Sequence, residues 1–197
     1  MSFAQLPAML ISETEGWSDI AHRHPSAQRL LFTLVMPMSL IPPVMYAYAE
    51  RMHPGAVFPL SVPALTDMQL LVTGFVLFAV QLVMVSLMAT LIRNIAVTQD
   101  HDPDYQNAYA LAAIAPVPLW LSSLALFVPS LGFNVLVVAV AWAISVALIR
   151  HGVRPLLQVA DTRKTHTIAD LVILTGVAAW IGLMILAAAL LSLLIGI

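Results

Sequence analysis

The sequence predicts an all-α, polytopic membrane protein, with five transmembrane helices preceded by a cytoplasmic amphipathic N-terminal helix. Of its 197 residues 61% are hydrophobic and only 9% are charged. Mean hydropathy is +0.95, whereas a soluble domain needs about 25% charged residues to stay dispersed in water. Five long uncharged stretches alternate with short polar joints that hold nearly all of the charge. A helix rising about 1.5 Å per residue needs about 17–25 apolar residues to cross the hydrocarbon core with every backbone group bonded internally, and each stretch meets that length. The chain therefore divides into a cytoplasmic interfacial segment, residues 1–28, and a five-helix transmembrane domain, residues 29–197.

In the N-terminal segment Ser12 and Glu15 have the spacing of a capping box, and Trp17, Ile20, Ala21 and His24 share one helical face until Pro25 stops it. Such a helix is expected to lie along the membrane surface with Trp17 near the headgroups; docking a protein partner is the sharper alternative. The spans are expected at Arg29 to Ala49, Met68 to Ile92, Ala108 to Val128, Phe133 to Ile149 and Ile168 to Ile197, with Pro129 to Gly132 forming a tight hairpin between the third and fourth. Helix starts are written at Thr66 with Gln69, at Asp102-Pro103 and at Thr167 with Asp170. The loop from Met52 to Leu65 carries Pro54, Pro59 and Pro63 among Val57, Phe58, Leu60 and Val62, which reads as an extended lid on the outer surface.

Orientation follows from Lys and Arg, because positive charge is retained in cytoplasmic loops. Arg23, Arg29, Arg93, Arg150, Arg154, Arg163 and Lys164 fall on one side of the five spans and only Arg51 on the other. The N-terminus is thus expected in the cytoplasm and Ile197 on the far side. Residues 1–28 hold no continuous apolar run of the signal-peptide kind, so the first span is expected to direct insertion. The chain has no cysteine, which excludes disulfides, thiolate metal sites and cysteine nucleophiles.

Polar residues narrow the function. None of the five spans has an ionisable side chain near its middle, which argues against proton relays and intramembrane proteolysis. Gln81 sits near the centre of the second span; interhelical glue is the first reading and lining of a polar path the second. Pro37, Pro42 and Pro43 in the first span and Pro116 and Pro118 in the third each remove a backbone donor and kink or break the helix. Paired broken helices can frame a substrate site, so a small-solute or ion conduit through these kinks is the alternative function. Ala139, Ala143 and Ala147, with Ala178 and Gly182, read as small-residue packing inside the bundle, or between copies if they face outward.

At the cytoplasmic joints, Asp100-His101-Asp102-Pro103-Asp104 lacks the Gly and Glu of a calcium loop, having Tyr105 and Leu111 there, and reads as a solvated cap. His22 with His24, His151 and His166 read as surface or headgroup-facing histidines. Arg150, Arg154, Arg163 and Lys164 are candidate lipid-headgroup contacts, each worth about 1 kcal/mol near an anionic surface.

Several segments resemble the Yip (Ypt-interacting protein) domain family in a bacterial form. They are Gly16-Trp17-Ser18-Asp19-Ile20, the proline-bearing first span, Ala115-Pro116-Val117-Pro118-Leu119-Trp120-Leu121-Ser122 and Arg150-His151-Gly152-Val153-Arg154-Pro155-Leu156-Leu157. The last resembles the family's Gly-x-Pro turn after the fourth span. The resemblance runs from Trp17 to the C-terminus and implies five spans, a cytoplasmic N-terminus, a bacterial inner membrane location and a role in membrane organisation. Eukaryotic relatives contact Rab-type GTPases through Asp-Leu-Tyr-Gly-Pro-like and Gly-Tyr-Gly-like motifs. The nearest counterparts are Ser18-Asp19-Ile20 and Tyr109-Ala110-Leu111, which match neither, so no Rab-binding residues are carried over. The expected partners are membrane lipids, a protein at the cytoplasmic face and further copies of the chain. No catalytic residue, cofactor, metal or nucleic acid is expected.

Overall fold

The computed structural model describes residues 16–23, 25–55 and 65–195, and the described chain is helical apart from short turns. Ser12 and Glu15, the side chains of His22 and His24, and loop residues 56–64 lie outside the described residues. The five expected spans are present as Ala27–Met52, Asp67–Val97, Tyr105–Phe127, Leu131–Leu157 and Thr162–Leu194. A short helix, α1 (Trp17–Arg23), precedes them.

Proline divides the first span into pieces. Ser26 caps Ala27–Leu30 by accepting from the Arg29 amide, and the chain then widens into a π-turn at Leu31–Val35, where the Met36 N–H reaches back to the Leu31 carbonyl. Pro37 follows immediately, and the wider turn makes room where its ring would press on the carbonyl four residues back. Met36–Ser39 ends at Leu40, and Ile41–Met52 begins with Pro42 and Pro43 in its first turn, where a missing donor is tolerated.

The second span is one unbroken helix of 31 residues. Its expected start is present: Thr66 Oγ1 accepts from the Gln69 amide at 3.3 Å while Gln69 Oε1 accepts from the Thr66 amide at 2.9 Å.

The third span starts at Tyr105, capped by Asp104 rather than by the expected Asp102-Pro103. Two forces move the cap. The Asp102 carboxylate is taken by the Arg93 guanidinium, at 2.9 and 3.2 Å, and Asp104 adopts the extended backbone that an N-cap requires. The span breaks between Ile114 and Val117, at Pro116, and ends in a 3-10 turn at Ser123–Phe127.

After the expected tight hairpin, Ser130 caps the fourth span. Asn134 Nδ2 donates to the carbonyls of Val128 and Ser130 at 3.0 and 2.8 Å, adding a second donor to the oxygens that already accept the Ser130 and Asn134 amides. The fourth span does not end at Ile149. It continues through Pro155 to Leu157, so the expected Gly-x-Pro turn is helix, and the chain turns instead at Gln158, whose φ is 58°. The amides of Gln158 and Val159 both reach the Arg154 carbonyl there, a C-terminal closure that stops the helix.

The fifth span likewise starts earlier than expected. Asp161 Oδ1 accepts from the Arg163 amide at 2.8 Å, so Thr167 lies inside the helix and donates to the Arg163 carbonyl. Asp170 pairs with Arg150 instead of closing a capping box.

The third span is central: it packs on the first, second and fourth, and its residues Asn107–Ile114 are all buried. The fifth lies against the second and fourth, and its most apolar stretch holds no buried residue. Ala139, Ala143, Ala178 and Gly182 are exposed and Ala147 is half-buried, so most of this small-residue pattern faces outward rather than joining the helices of one bundle. The fourth and fifth spans meet instead through Trp142 and Trp180, edge to face at 5.5 Å.

Candidate functional site

Two places hold the polar residues singled out from the sequence, and the bundle keeps them at different levels. The first is the junction of the two proline breaks. Met36–Ser39 and Ile41–Met52 of the first span both pack on Val117–Ser122 of the third, so the proline-bearing helices of the two spans lie against each other. Pro43 is buried, Pro42, Pro116 and Pro118 are half-buried, and Pro37 faces outward.

Gln81 explains how the junction is tolerated. Proline has no N–H, so Pro43 cannot bond the Ser39 carbonyl four residues back. Gln81 Nε2 donates to that carbonyl at 3.3 Å and to the Leu77 carbonyl of its own helix at 3.1 Å. Its side chain is buried, and both amide hydrogens are directed to backbone oxygens. Gly74, on the same face of that helix, lies beside Pro43, where an added Cβ would make ordinary contact with the proline ring at 3.6 Å. The group most suited to line a polar path is thus bonded to the break it lies beside.

The second place is the charged end of the bundle. Lys164 Nζ donates to the Gln99 carbonyl at 2.7 Å and meets Asp100 at 3.5 Å, which ties the start of the fifth span to the turn after the second. Arg150 meets Asp170 at 3.2 Å, joining the fourth span to the fifth. The His101 ring is bonded to the Leu157 carbonyl at the end of the fourth span. Of the four candidate headgroup contacts, Arg150 and Lys164 bind carboxylates within the chain, and Arg150, Arg154 and Arg163 are exposed. Exposed pairs of this kind stabilise by about 1 kcal/mol at most, so they set the arrangement of charge more than the stability of the fold.

Helix α1 lies at this end, and its tryptophan is turned to protein rather than, as expected, to headgroups. Trp17 has no exposed surface, and Ile20 and Ala21 are buried with it in the main apolar cluster. Trp17 lies over Gly152 of the fourth span. A Cβ on Gly152 would come within 2.8 Å of Trp17 Cη2 and 2.9 Å of Leu111 Cδ1, too close for any side chain. The indole is held by protein rather than by headgroups because glycine opens a notch of its thickness. The segment after α1 is fastened as well, by the Ala27 amide donating to Gln106 Oε1 of the third span.

The sequence marks Gly152 only as part of an expected turn, since nothing local signals that a glycine in an apolar helix seats a distant indole. Among the described residues no three His, Cys, Asp or Glu side chains gather as a metal site would require. Gln81 and Asn134 are bonded to backbone, and charge is concentrated at one end of the bundle. The sequence model described as the Yip1 domain matches residues 8–197. Neither a curated protein nor a solved structure matches the chain.

Proposed function

This chain belongs to the Yip1 domain family, and on that premise we propose that it is a non-enzymatic organiser of the bacterial inner membrane. It acts through protein and lipid contacts at its charged face, which is cytoplasmic, with the C-terminus on the periplasmic side. The observation that carries this reading is the division of labour among polar groups. Gln81, the central polar residue of the second span, is bonded to backbone at the proline break, and the exposed cations Arg23, Arg29, Arg93, Arg154 and Arg163 are gathered at the charged end. Cations placed just outside the hydrocarbon attract anionic headgroups, and bacterial inner leaflets supply them.

The test is the lipid retained in particles cut directly from the membrane. Wild-type protein should retain anionic lipid above the bulk membrane fraction. Arg154→Gln with Arg163→Gln should lose most of that enrichment while the helical content stays unchanged. Arg51→Gln, on the opposite side, serves as the control. Equal enrichment in all three proteins would remove the lipid half of the proposal.

A further inference from the structure

We propose that α1 is a latch: it opens and closes as a unit on the charged end of the bundle, with Trp17 as the bolt and Gly152 as its seat, while the five spans stay folded. Its hold is local. The helix has seven residues, and Trp17, Ile20 and Ala21 are its buried apolar side chains. A helix this short does not sustain itself without such contacts. The chain on its C-terminal side is built as a pivot. Pro25 prevents α1 from running on into the first span, Ser26 caps the next helix, and Gln106 pins the Ala27 amide to the third span. Releasing α1 therefore breaks contacts on one side of a fixed point and leaves the first span in place.

What the latch covers is apolar: α1 packs on the fourth span, and Trp17 lies against Gly152 beside the fully buried Leu111 of the third. Opening uncovers that surface, so the apolar area offered at this end depends on the position of α1. The inference stands on the Trp17–Gly152 geometry and does not depend on the partner or lipid proposed above.

The chain is free of cysteine, so one substitution reports the latch. Ala21→Cys places a thiol under α1, and Ala160→Cys places one in the exposed turn between the fourth and fifth spans. In native-lipid particles open at both faces, the thiol of the Ala21→Cys protein should react with a water-soluble maleimide more slowly than that of the Ala160→Cys protein, under conditions that leave the helical signal intact. Adding Gly152→Ala should raise the rate at position 21 by about tenfold or more by unseating the indole. Trp17→Ala should do the same without altering the fourth span, which guards against a Gly152 variant that fails to fold. The proposal is overturned if the thiol at position 21 reacts only once the bundle melts. It is equally overturned if Trp17→Ala leaves that thiol as protected as before in a folded protein.

Discussion

The amide of Gln81 stands in for the N–H that Pro43 lacks, so the two residues form one unit although they lie on different spans. Gln81→Leu should therefore destabilise the protein by about 0.6–1.7 kcal/mol, the range measured for hydrogen bonds between membrane helices. The effect is read from unfolding in detergent. Pro43→Ala supplies an N–H four residues after Ser39, and in its presence the loss caused by Gln81→Leu should shrink. A double-mutant cycle measures that coupling, and simple additivity would show that Gln81 is not replacing the missing donor. Arg150 and Lys164 illustrate the same economy, because side chains that read as headgroup contacts are bonded to Asp170 and Asp100.

At the scale of elements, a helix or turn holds where its open backbone groups find a partner. Asn134 closes the hairpin between the third and fourth spans with two bonds to carbonyls. Asn134→Ala should cost about 1 kcal/mol, the net worth of an ordinary hydrogen bond, because the Val128 and Ser130 oxygens keep the Ser130 and Asn134 amides as donors. It should also speed hydrogen exchange at residues 128–134, while exchange at the Thr66 cap stays as it was. Unchanged exchange in the hairpin would show that the turn closes without Asn134. Five spans and the Thr66 box were legible in the sequence because apolar length and a cap three residues from its partner are local signals. The cap at Asp104 was not, since its position depends on Arg93 claiming Asp102 from the preceding helix. The passage of the fourth span through Pro155 was hidden for a similar reason: proline suggests an end, and only packing of Gly152, Val153 and Leu156 shows that the helix persists. Trp17 read as a headgroup anchor because the notch that receives it belongs to another span.

The whole molecule is an apolar bundle with one heavily charged end. That end carries the Arg93–Asp102, Lys164–Asp100 and Arg150–Asp170 pairs, the exposed Arg154 and Arg163, and the seat of α1. The opposite end carries the Arg51–Asp67 pair and the hairpin. Contact between this protein and anything in the cytoplasm requires the charged end to face inward, as the distribution of Lys and Arg predicts. Cysteine labelling in intact spheroplasts measures that orientation directly. Gly55→Cys, exposed beyond the first span, should react with an impermeant thiol reagent in intact spheroplasts, and Ala160→Cys should react only after permeabilisation. Labelling of the Ala160→Cys protein and protection of the Gly55→Cys protein in intact spheroplasts would contradict the account, because the basic face would then lie outside the cell.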